Sequence, residues 1–230
     1  MPIHDEATVL LQILGAIDDQ ERRPDELILV FDRCSDGSER LVEGRGDISL
    51  IADCGNTGAA VRAGAERASN PLIVLFDGNT RIPSDYVERL VATWEDTRAD
   101  VIEWHGGLML VTKSALHRYG PISTMALWTL EYFLRVKSAG GRVIHLKGPF
   151  VRLKPSPIRR NFRYGLDYAD LSVRFDLPPF FRIGTKSGVI QDACAALGAV
   201  FGHARRHNLW AALRQTRLEL RGASRRDANE

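Results

Sequence analysis

Short apolar runs alternate with stretches of helical character along the first two thirds of the chain. Leu27–Phe31 is a continuous apolar run that ends in a polar loop, which is typical of a buried strand of a parallel sheet. Ile48–Ala52 is expected to be a second strand, and Pro71–Phe76, the most apolar of the three, a third. Between them, Val9–Ile17 carries an apolar stripe at helical spacing, and Ala59–Ala68 is a small-residue helix. The alternation predicts an α/β fold with a doubly wound, mostly parallel sheet and helices on both faces.

The pattern continues to about residue 146 and then changes. Further elements are expected at Pro83–Asp96 (helix), Val101–Trp104 (strand), Leu108–Val111 (strand), Ser114–Tyr119 (helix), Leu127–Ala139 (helix) and Val143–Leu146 (strand). From Pro149 the chain becomes basic and irregular, and a final helix is expected from about Val189 to Leu220. We therefore expect one α/β domain over residues 1–155 and a basic, mainly helical extension over residues 156–230.

The composition is that of a soluble globular protein, with 44% hydrophobic and 26% charged residues in a chain of 230. No run approaches the roughly 18 apolar residues needed to cross a bilayer, and because charged residues begin at Asp5 we expect no secretory signal. The three cysteines lack metal-ligand spacing, so we expect free thiols and a cytoplasmic location.

Charge is distributed unevenly along the chain. Residues 1–151 carry a net charge of −6 and residues 152–230 a net charge of +8. This asymmetry indicates that the C-terminal third meets an anionic partner, such as phosphate or an anionic membrane. Nucleic acid is not an expected partner, because no motif of interleaved aromatic and basic residues accompanies the charge.

Polar loops follow two of the apolar strands. Asp32–Gly37 follows Leu27–Phe31, and Asp77–Thr80 follows Pro71–Phe76. Because ligands of doubly wound sheets bind beyond the carboxyl ends of the strands, these loops are the first candidates for a functional site.

Four blocks resemble, in order and spacing, the motifs of glycosyltransferase family 2, which has the GT-A fold. They are Pro2–Ala7, Asp32–Ser38, Asn56–Ala65 and Leu75–Asn79. The segment from Leu130 to Ile144 also resembles a late helix and strand of that family. The resemblance covers roughly residues 1–155. It implies a nucleoside-diphosphate-sugar donor, a divalent cation and inversion at the anomeric carbon.

The chain departs from the family pattern at several points. It begins where the family's first strand is already ending, so we expect a central strand of the sheet to be lost. The stretch from Asp100 to Gly107 is shorter than usual. The family's Asp-x-Asp motif is Asp77-Gly78-Asn79 here, and its acidic pair near the catalytic base falls on Trp128-Thr129.

The resemblance assigns a metal site to the loop after the third apolar strand. Asp77 offers a carboxylate and Asn79 a neutral carbonyl oxygen, and Mn²⁺ or Mg²⁺ prefers such hard oxygen ligands. A cation there lowers the cost of releasing an anionic diphosphate. The structural alternative for both side chains is loop or helix capping.

The resemblance also implies the residues that bind the donor. Asp32 matches a position that accepts a hydrogen bond from the nucleobase, and its alternative is a turn aspartate bonded to backbone. The other positions that the resemblance assigns to the donor are Asp5, Glu6, Arg62, Arg152 and Lys154. The last two match a basic loop that holds phosphates through charge-assisted hydrogen bonds. Ordinary surface basicity is the alternative for these two, and a solvated helix arginine is the alternative for Arg62.

Glu131 is the candidate catalytic residue, as a general base that deprotonates an acceptor hydroxyl. Alternatively it holds Arg135 or a loop. The surrounding pattern also resembles the polyprenyl-phosphate sugar synthases of the family, whose acceptor is already an anion and needs no base. His105, near Gly106-Gly107, is a further candidate acceptor-site residue, and a plain structural role is the alternative.

These observations favour a glycosyltransferase whose acceptor is a glycan or a lipid-linked molecule. A GT-A fold that has lost catalysis and acts as a binding subunit is the alternative. A related nucleotidyltransferase is disfavoured, because the chain lacks a Gly-rich basic loop after its first strand. The Arg-rich stretch after Arg205, with Trp210 within it, predicts peripheral contact with an anionic membrane surface.

Overall fold

The computed structural model describes residues 1–105, 107–154, 158–177 and 195–202, with only the backbone described from 158 to 161. Contacts divide the chain into two compact units, Met1–Pro155 and Ser156–Glu230. The boundary lies where the sequence becomes basic and irregular.

The first unit alternates strands and helices as the apolar pattern predicts. Its strands are β1 (Pro2–Ile3), β2 (Ile28–Asp32), β3 (Ile48–Ala52), β4 (Leu72–Leu75), β5 (Thr80–Arg81), β6 (Val101–His105), β7 (Leu108–Thr112), β8 (Val143–His145) and β9 (Val151–Arg152). Its helices are α1 (Leu10–Asp18), α2 (Thr57–Arg67), α3 (Tyr86–Thr97), α4 (Lys113–Tyr119) and α5 (Trp128–Ser138), with a 3-10 turn at Ser38–Val42.

The strands form two main groups and one short ribbon. Strands β1, β2 and β3 are parallel neighbours in that order. The second group has the order β4-β7-β6-β8, in which β7 is antiparallel to both neighbours and β8 is parallel to β6. Strands β5 and β9 pair antiparallel on their own.

The first strand is not lost, contrary to the expectation, but it is only two residues long. Only Pro2 and Ile3 pair with β2, opposite Val30 and Phe31. A cavity of about 320 Å³ lies beyond this strand, lined by residues of β2, β4, α2 and α3. The two strand groups are therefore joined here by side chains and loops rather than by a continuous hydrogen-bond ladder.

Two apolar cores cover opposite faces of the strands. Helices α1 and α3 pack on one face, around Leu14, Tyr86 and Leu90, which are fully buried. Helices α2, α4 and α5 pack on the other, around Ala60, Ala115 and Tyr132. This arrangement confirms the predicted α/β fold with helices on both faces.

Local chemistry fixes the start of α2 and its distance from the sheet. The Asn56 side chain accepts a hydrogen bond from the Ala59 N–H at 2.9 Å and so caps the helix. A Cβ added at Gly64 would lie 3.1 Å from Cγ2 of Val30, so a small residue is needed where this helix meets β2.

The second unit contains a helix in a region that the sequence leaves irregular. Helix α6 spans Ile158–Arg174, and residues 195–202 are also helical. The two helices pack closely, since a Cβ at Gly165 would lie 1.9 Å from the Ala195 carbonyl oxygen. The expectation of an irregular segment after Pro149 is therefore wrong over α6. Prolines on both sides of α6 concealed a helical pattern that belongs to one continuous element.

Most of the expected final helix lies outside the described residues, including the Arg-rich stretch after Arg205. Within the described part, no helix combines the length and the apolar character needed to span a membrane. Cys34 and Cys54 are free thiols, and Cys194 lies outside the described residues.

Candidate active site

Hydrogen bonds join the loop after β1 to the loop after β2. The Asp5 carboxylate accepts a bond from the Ser35 N–H at 2.7 Å, and Asp36 accepts one from the Ala7 N–H at 2.8 Å. The bond from the Ser35 N–H lowers the pKa of Asp5, which favours its ionised form. The two loops therefore present negative charge as one unit at the edge of the sheet.

Asp5, Cys34 and Asp36 place three potential metal-ligand atoms within 4.8 Å of one another. The two carboxylates already accept the hydrogen bonds that join these loops. Burial raises the pKa of the Cys34 thiol, and a protonated thiol is a poor ligand. These residues organise the loops.

Asp32 joins the end of β2 to the loop after β3. Its side chain is buried, and Oδ1 accepts bonds from the N–H groups of Cys54 at 2.7 Å and Gly55 at 3.0 Å. These bonds resemble the structural role considered for Asp32, a turn aspartate bonded to backbone. The backbone groups, however, belong to the loop after β3 and not to the turn that contains Asp32. Recognition of a nucleobase by Asp32 stays a prediction.

The loop after β4 lies directly against the loop after β1. A Cβ added at Gly78 would lie 2.7 Å from the Pro2 carbonyl oxygen and 3.6 Å from Cγ of Glu6. A side chain at this position would therefore push the two loops apart. Glycine allows Asp77 and Asn79, on either side of it, to lie beside Glu6.

The β5–β9 ribbon brings the basic segment to the same place. The Leu153 N–H donates to the Asn79 carbonyl oxygen at 2.8 Å, and Arg152 lies opposite Thr80 in the ribbon. Lys154 Nζ then lies 3.0 Å from Glu6 Oε2 and donates a hydrogen bond to the Asp5 carbonyl oxygen. Residues far apart in the sequence thus meet at one edge of the sheet.

The segment before β9 is anchored by an aromatic side chain. The Trp104 indole N–H donates to the Pro149 carbonyl oxygen at 3.2 Å, and any Cβ at Gly148 would overlap the Trp104 ring. The ring of His105 stacks on Phe150 with 4.0 Å between centroids. Burial, with a smaller contribution from the Arg152 charge, lowers the pKa of His105, which favours a neutral imidazole.

Sequence reasoning missed the ribbon and the stacking of His105 on Phe150. The alternation of apolar and basic residues from Val151 to Lys154 is a strand signal that could have indicated β9. The pairing with Phe150 has no local signal, because it depends on how Trp104 anchors the preceding segment.

A family model for glycosyl transferase family 2 matches residues 1–119, which is half of the chain. The chain belongs to glycosyltransferase family 2. This membership confirms the predicted family and the class of enzyme. No curated protein matches the sequence.

Solved structures of glycosyltransferases share the fold. The mannosyltransferase PcManGT from Pyrobaculum calidifontis, solved with GDP-Man and Mn²⁺, has a TM-score of 0.62 and 17% identity over 92% of this chain and 71% of its own. Glucosyl-3-phosphoglycerate synthase from Mycobacterium tuberculosis, solved with Mn²⁺ and UDP-glucose, has a TM-score of 0.65 and 12% identity over 77% of this chain and 78% of its own.

Glu131 of this family 2 chain is engaged by Arg135 one turn along α5. Arg135 donates from Nε to Oε1 at 3.0 Å and from Nη2 to Oε2 at 2.8 Å, and Glu131 is only 2% exposed. The same guanidinium donates to the carbonyl oxygens of Tyr119 and Pro121. These contacts are those of the alternative in which Glu131 holds Arg135 and a loop. Its role as a general base stays a prediction.

Arg62 lies on the exposed surface of α2. Its Nε is 2.7 Å from Glu66 Oε1, one helical turn away. No contact within the described part of the chain brings Arg62 to Asp77, so its predicted role at the donor stays a prediction.

Gly78→Ala should disturb the site and the fold together, because the new methyl group meets the backbone of Pro2. We expect the free energy of unfolding to fall by about 1–3 kcal/mol, as in other overpacked positions. Mn²⁺-dependent nucleotide binding should weaken as well. Denaturant unfolding and calorimetry measure the two effects.

Gly15→Ala is the matched control. Gly15 lies inside α1, and a Cβ added there would meet no atom within 4 Å outside its own helix backbone and chain neighbours, so alanine should raise stability by about 0.5–1 kcal/mol through helix propensity. If Gly78→Ala were as stable as the wild type, the close contact between the two loops would not exist.

Proposed function

We propose that this chain transfers a sugar from a nucleoside-diphosphate sugar to an anionic acceptor, assisted by a divalent cation. The observation that carries the proposal is the meeting of Asp77 and Asn79 with the basic segment around Arg152 and Lys154. A cation-bound diphosphate needs hard oxygen ligands on one side and cationic side chains on the other. The structural neighbours that hold GDP-Man or UDP-glucose with Mn²⁺ support this interpretation.

Each group at the site has a role in this reaction. Asp77 and Asn79 offer oxygen ligands that fit Mn²⁺ or Mg²⁺, which would neutralise charge on the leaving diphosphate. Arg152 and Lys154 would bind the phosphates, and Asp5 and Asp32 would position the nucleoside. The acceptor oxygen bonds to the anomeric carbon as the bond to the diphosphate oxygen breaks. The electron pair leaves with the nucleoside diphosphate, and a single displacement of this kind inverts the anomeric carbon.

Asp77→Ala should abolish Mn²⁺-dependent donor binding and leave the fold intact, because the residue supplies the carboxylate at the end of β4. Donor hydrolysis with a panel of nucleotide sugars and calorimetry of nucleotide with and without Mn²⁺ measure the effect. Asp96→Ala, at an exposed site on α3, is the control.

The outcomes separate the proposal from its rival. Turnover of a donor by the wild type and not by Asp77→Ala supports an enzyme. Nucleotide binding without turnover of any donor would favour the non-catalytic binding subunit. Equal nucleotide affinity in wild type and Asp77→Ala would remove Asp77 from the site.

The acceptor that we propose carries its own negative charge, as a phosphate does. Both oxygens of Glu131 accept bonds from Arg135, which disfavours proton abstraction by this carboxylate. An acceptor that is already an anion needs no base. A lipid-linked phosphate is the acceptor that also fits the basic C-terminal third, and a glycan hydroxyl is the alternative.

Glu131→Gln tests the class of acceptor. With a phosphate acceptor, we expect kcat to fall by less than about tenfold, whereas loss of a general base costs about 10²–10⁴-fold. Stability should fall by about 1–3 kcal/mol, since Arg135 loses a charged, buried partner. Glu66→Gln is the matched control, because Arg62 and Glu66 form an exposed pair with the same spacing, worth under about 1 kcal/mol. A 10²-fold loss of kcat with a phosphate acceptor would contradict the base-free mechanism.

We also propose that the second unit contacts an anionic membrane, at its cytoplasmic face. Phe162, Leu197 and Phe201 are exposed apolar side chains on its two described helices, and the rings of Phe162 and Phe201 lie 6.0 Å apart. The net charge of +8 over residues 152–230 favours an anionic surface. Exposed aromatic side chains in a basic helical region are typical of interfacial binding.

Phe162→Ser with Phe201→Ser should weaken co-sedimentation with anionic vesicles at low salt, because it removes the aromatic pair. Binding of the wild type should fall as salt is raised. Leu11→Ser is the control, since Leu11 has the same exposed fraction as Phe201, 56%, but lies on α1 of the first unit. Absence of wild-type binding at low salt would refute membrane contact and favour a soluble anionic acceptor.

A further inference from the structure

Glu6 is a buried carboxylate at the edge of the cation site. The residue is 9% exposed, and among the described residues its Oε2 atom has no hydrogen bond of regular geometry. Its nearby charges are the Lys154 ammonium, 3.0 Å from Oε2, and the Asp77 carboxylate. The Asn79 side chain lies close enough to Glu6 to lower the pKa of its carboxyl group slightly. Glu6 therefore lies beside both proposed cation ligands, Asp77 and Asn79.

The ionised form of Glu6, buried beside Asp77, needs a nearby positive charge to stabilise it. Burial and the nearby Asp77 both oppose ionisation of Glu6 and raise its pKa, while Lys154 lowers it. An isolated buried carboxylate is costly, and breaking a buried pair by removing one partner is destabilising. The Lys154 ammonium supplies the compensating charge in the absence of a cation. A divalent cation beside Asp77 and Asn79 would supply it more fully.

We propose that Glu6 is a third oxygen ligand of the divalent cation, together with Asp77 and Asn79, and that the Lys154 ammonium takes the cation's place until it binds. This inference rests on the proposed function. Cation binding displaces Lys154 from Glu6, and the released ammonium is then free to bind the diphosphate.

The chemistry of the three side chains suits this exchange. Asp77 alone would give the cation one carboxylate, whereas two carboxylates and an amide oxygen form an ordinary oxygen ligand set for Mn²⁺ or Mg²⁺. Gly78 makes this set possible, since it allows the loop after β4 to approach Glu6 closely. The ammonium and the cation compete for the same carboxylate, so their occupancies are linked.

Mn²⁺ binding, followed by electron paramagnetic resonance without nucleotide, tests the exchange. Lys154→Met should bind Mn²⁺ about tenfold more tightly than the wild type, equivalent to about 1.4 kcal/mol, because the competing charge is gone. Glu6→Gln should bind it at least about tenfold more weakly. In the double variant, the gain from Lys154→Met should vanish.

Controls separate this exchange from a general effect of charge. Lys113→Met removes an exposed ammonium that donates to the Ser69 carbonyl oxygen, and Glu66→Gln removes an exposed carboxylate on α2. Neither should change Mn²⁺ affinity. Thermal unfolding checks that each variant is folded. If Glu6→Gln does not fold, the Mn²⁺ affinity of Lys154→Met still tests the exchange. Unchanged or weaker Mn²⁺ binding by Lys154→Met would overturn the exchange.

The same titrations, repeated with GDP and UDP, distinguish failure of this inference from failure of the proposed function. Mn²⁺ binding that depends on Asp77 but not on Glu6 would overturn the third ligand and leave the proposed function standing. If the wild type did not bind Mn²⁺ even with either nucleotide, the proposed function and the exchange would both be refuted.

Discussion

The close contact between Gly78 and the carbonyl of Pro2 is the constraint on which the site depends. It places the loop after β4 against the loop after β1, so that Asp77 and Asn79 lie beside Glu6. The ribbon of β5 and β9 continues from the same loop and carries Lys154 back to Glu6. One contact between two backbones thus determines where three separate parts of the chain meet.

Charge balance explains why these parts stay together. The loops after β1 and β2 carry carboxylates that backbone N–H groups stabilise, as with Asp5 and Ser35. Glu6 instead depends on Lys154, which comes from a different part of the chain. The acidic first unit therefore uses a basic segment at its own C-terminal end to complete its ligand-binding edge.

Much of the first unit follows from its sequence because apolar runs and helical stripes are local signals. Leu27–Phe31 predicts β2 within one residue, and Ile48–Ala52 predicts β3 with the same bounds. The candidate residues in loops were also found, since Asp77 and Asn79 directly follow a buried strand. Position along the chain did not reveal that Glu6 and Lys154 form a pair, because this contact spans 148 residues.

Other features escaped prediction for identifiable physical reasons. Helix α6 is flanked by prolines and contains Gly165, which weakens a helical signal until the close packing with residues 195–202 is known. For Glu131, the sequence pattern is compatible with a catalytic base and with a structural role. Only the structure shows that both of its oxygens accept hydrogen bonds from Arg135. The sequence of a helix does not show whether its carboxylate contacts a substrate or a guanidinium.

The anchoring of the segment before β9 by Trp104 has an optical consequence. The indole is 3% exposed, carries the Arg89 guanidinium 4.5 Å from its ring centroid, and bonds to the carbonyl just ahead of the basic loop. Indole emission shifts in wavelength and intensity when nearby charge or solvent access changes. The difference in emission between the wild type and Trp104→Phe is the emission of Trp104 itself. It therefore reports, without an attached dye, whether the segment before β9 keeps its contact with this indole.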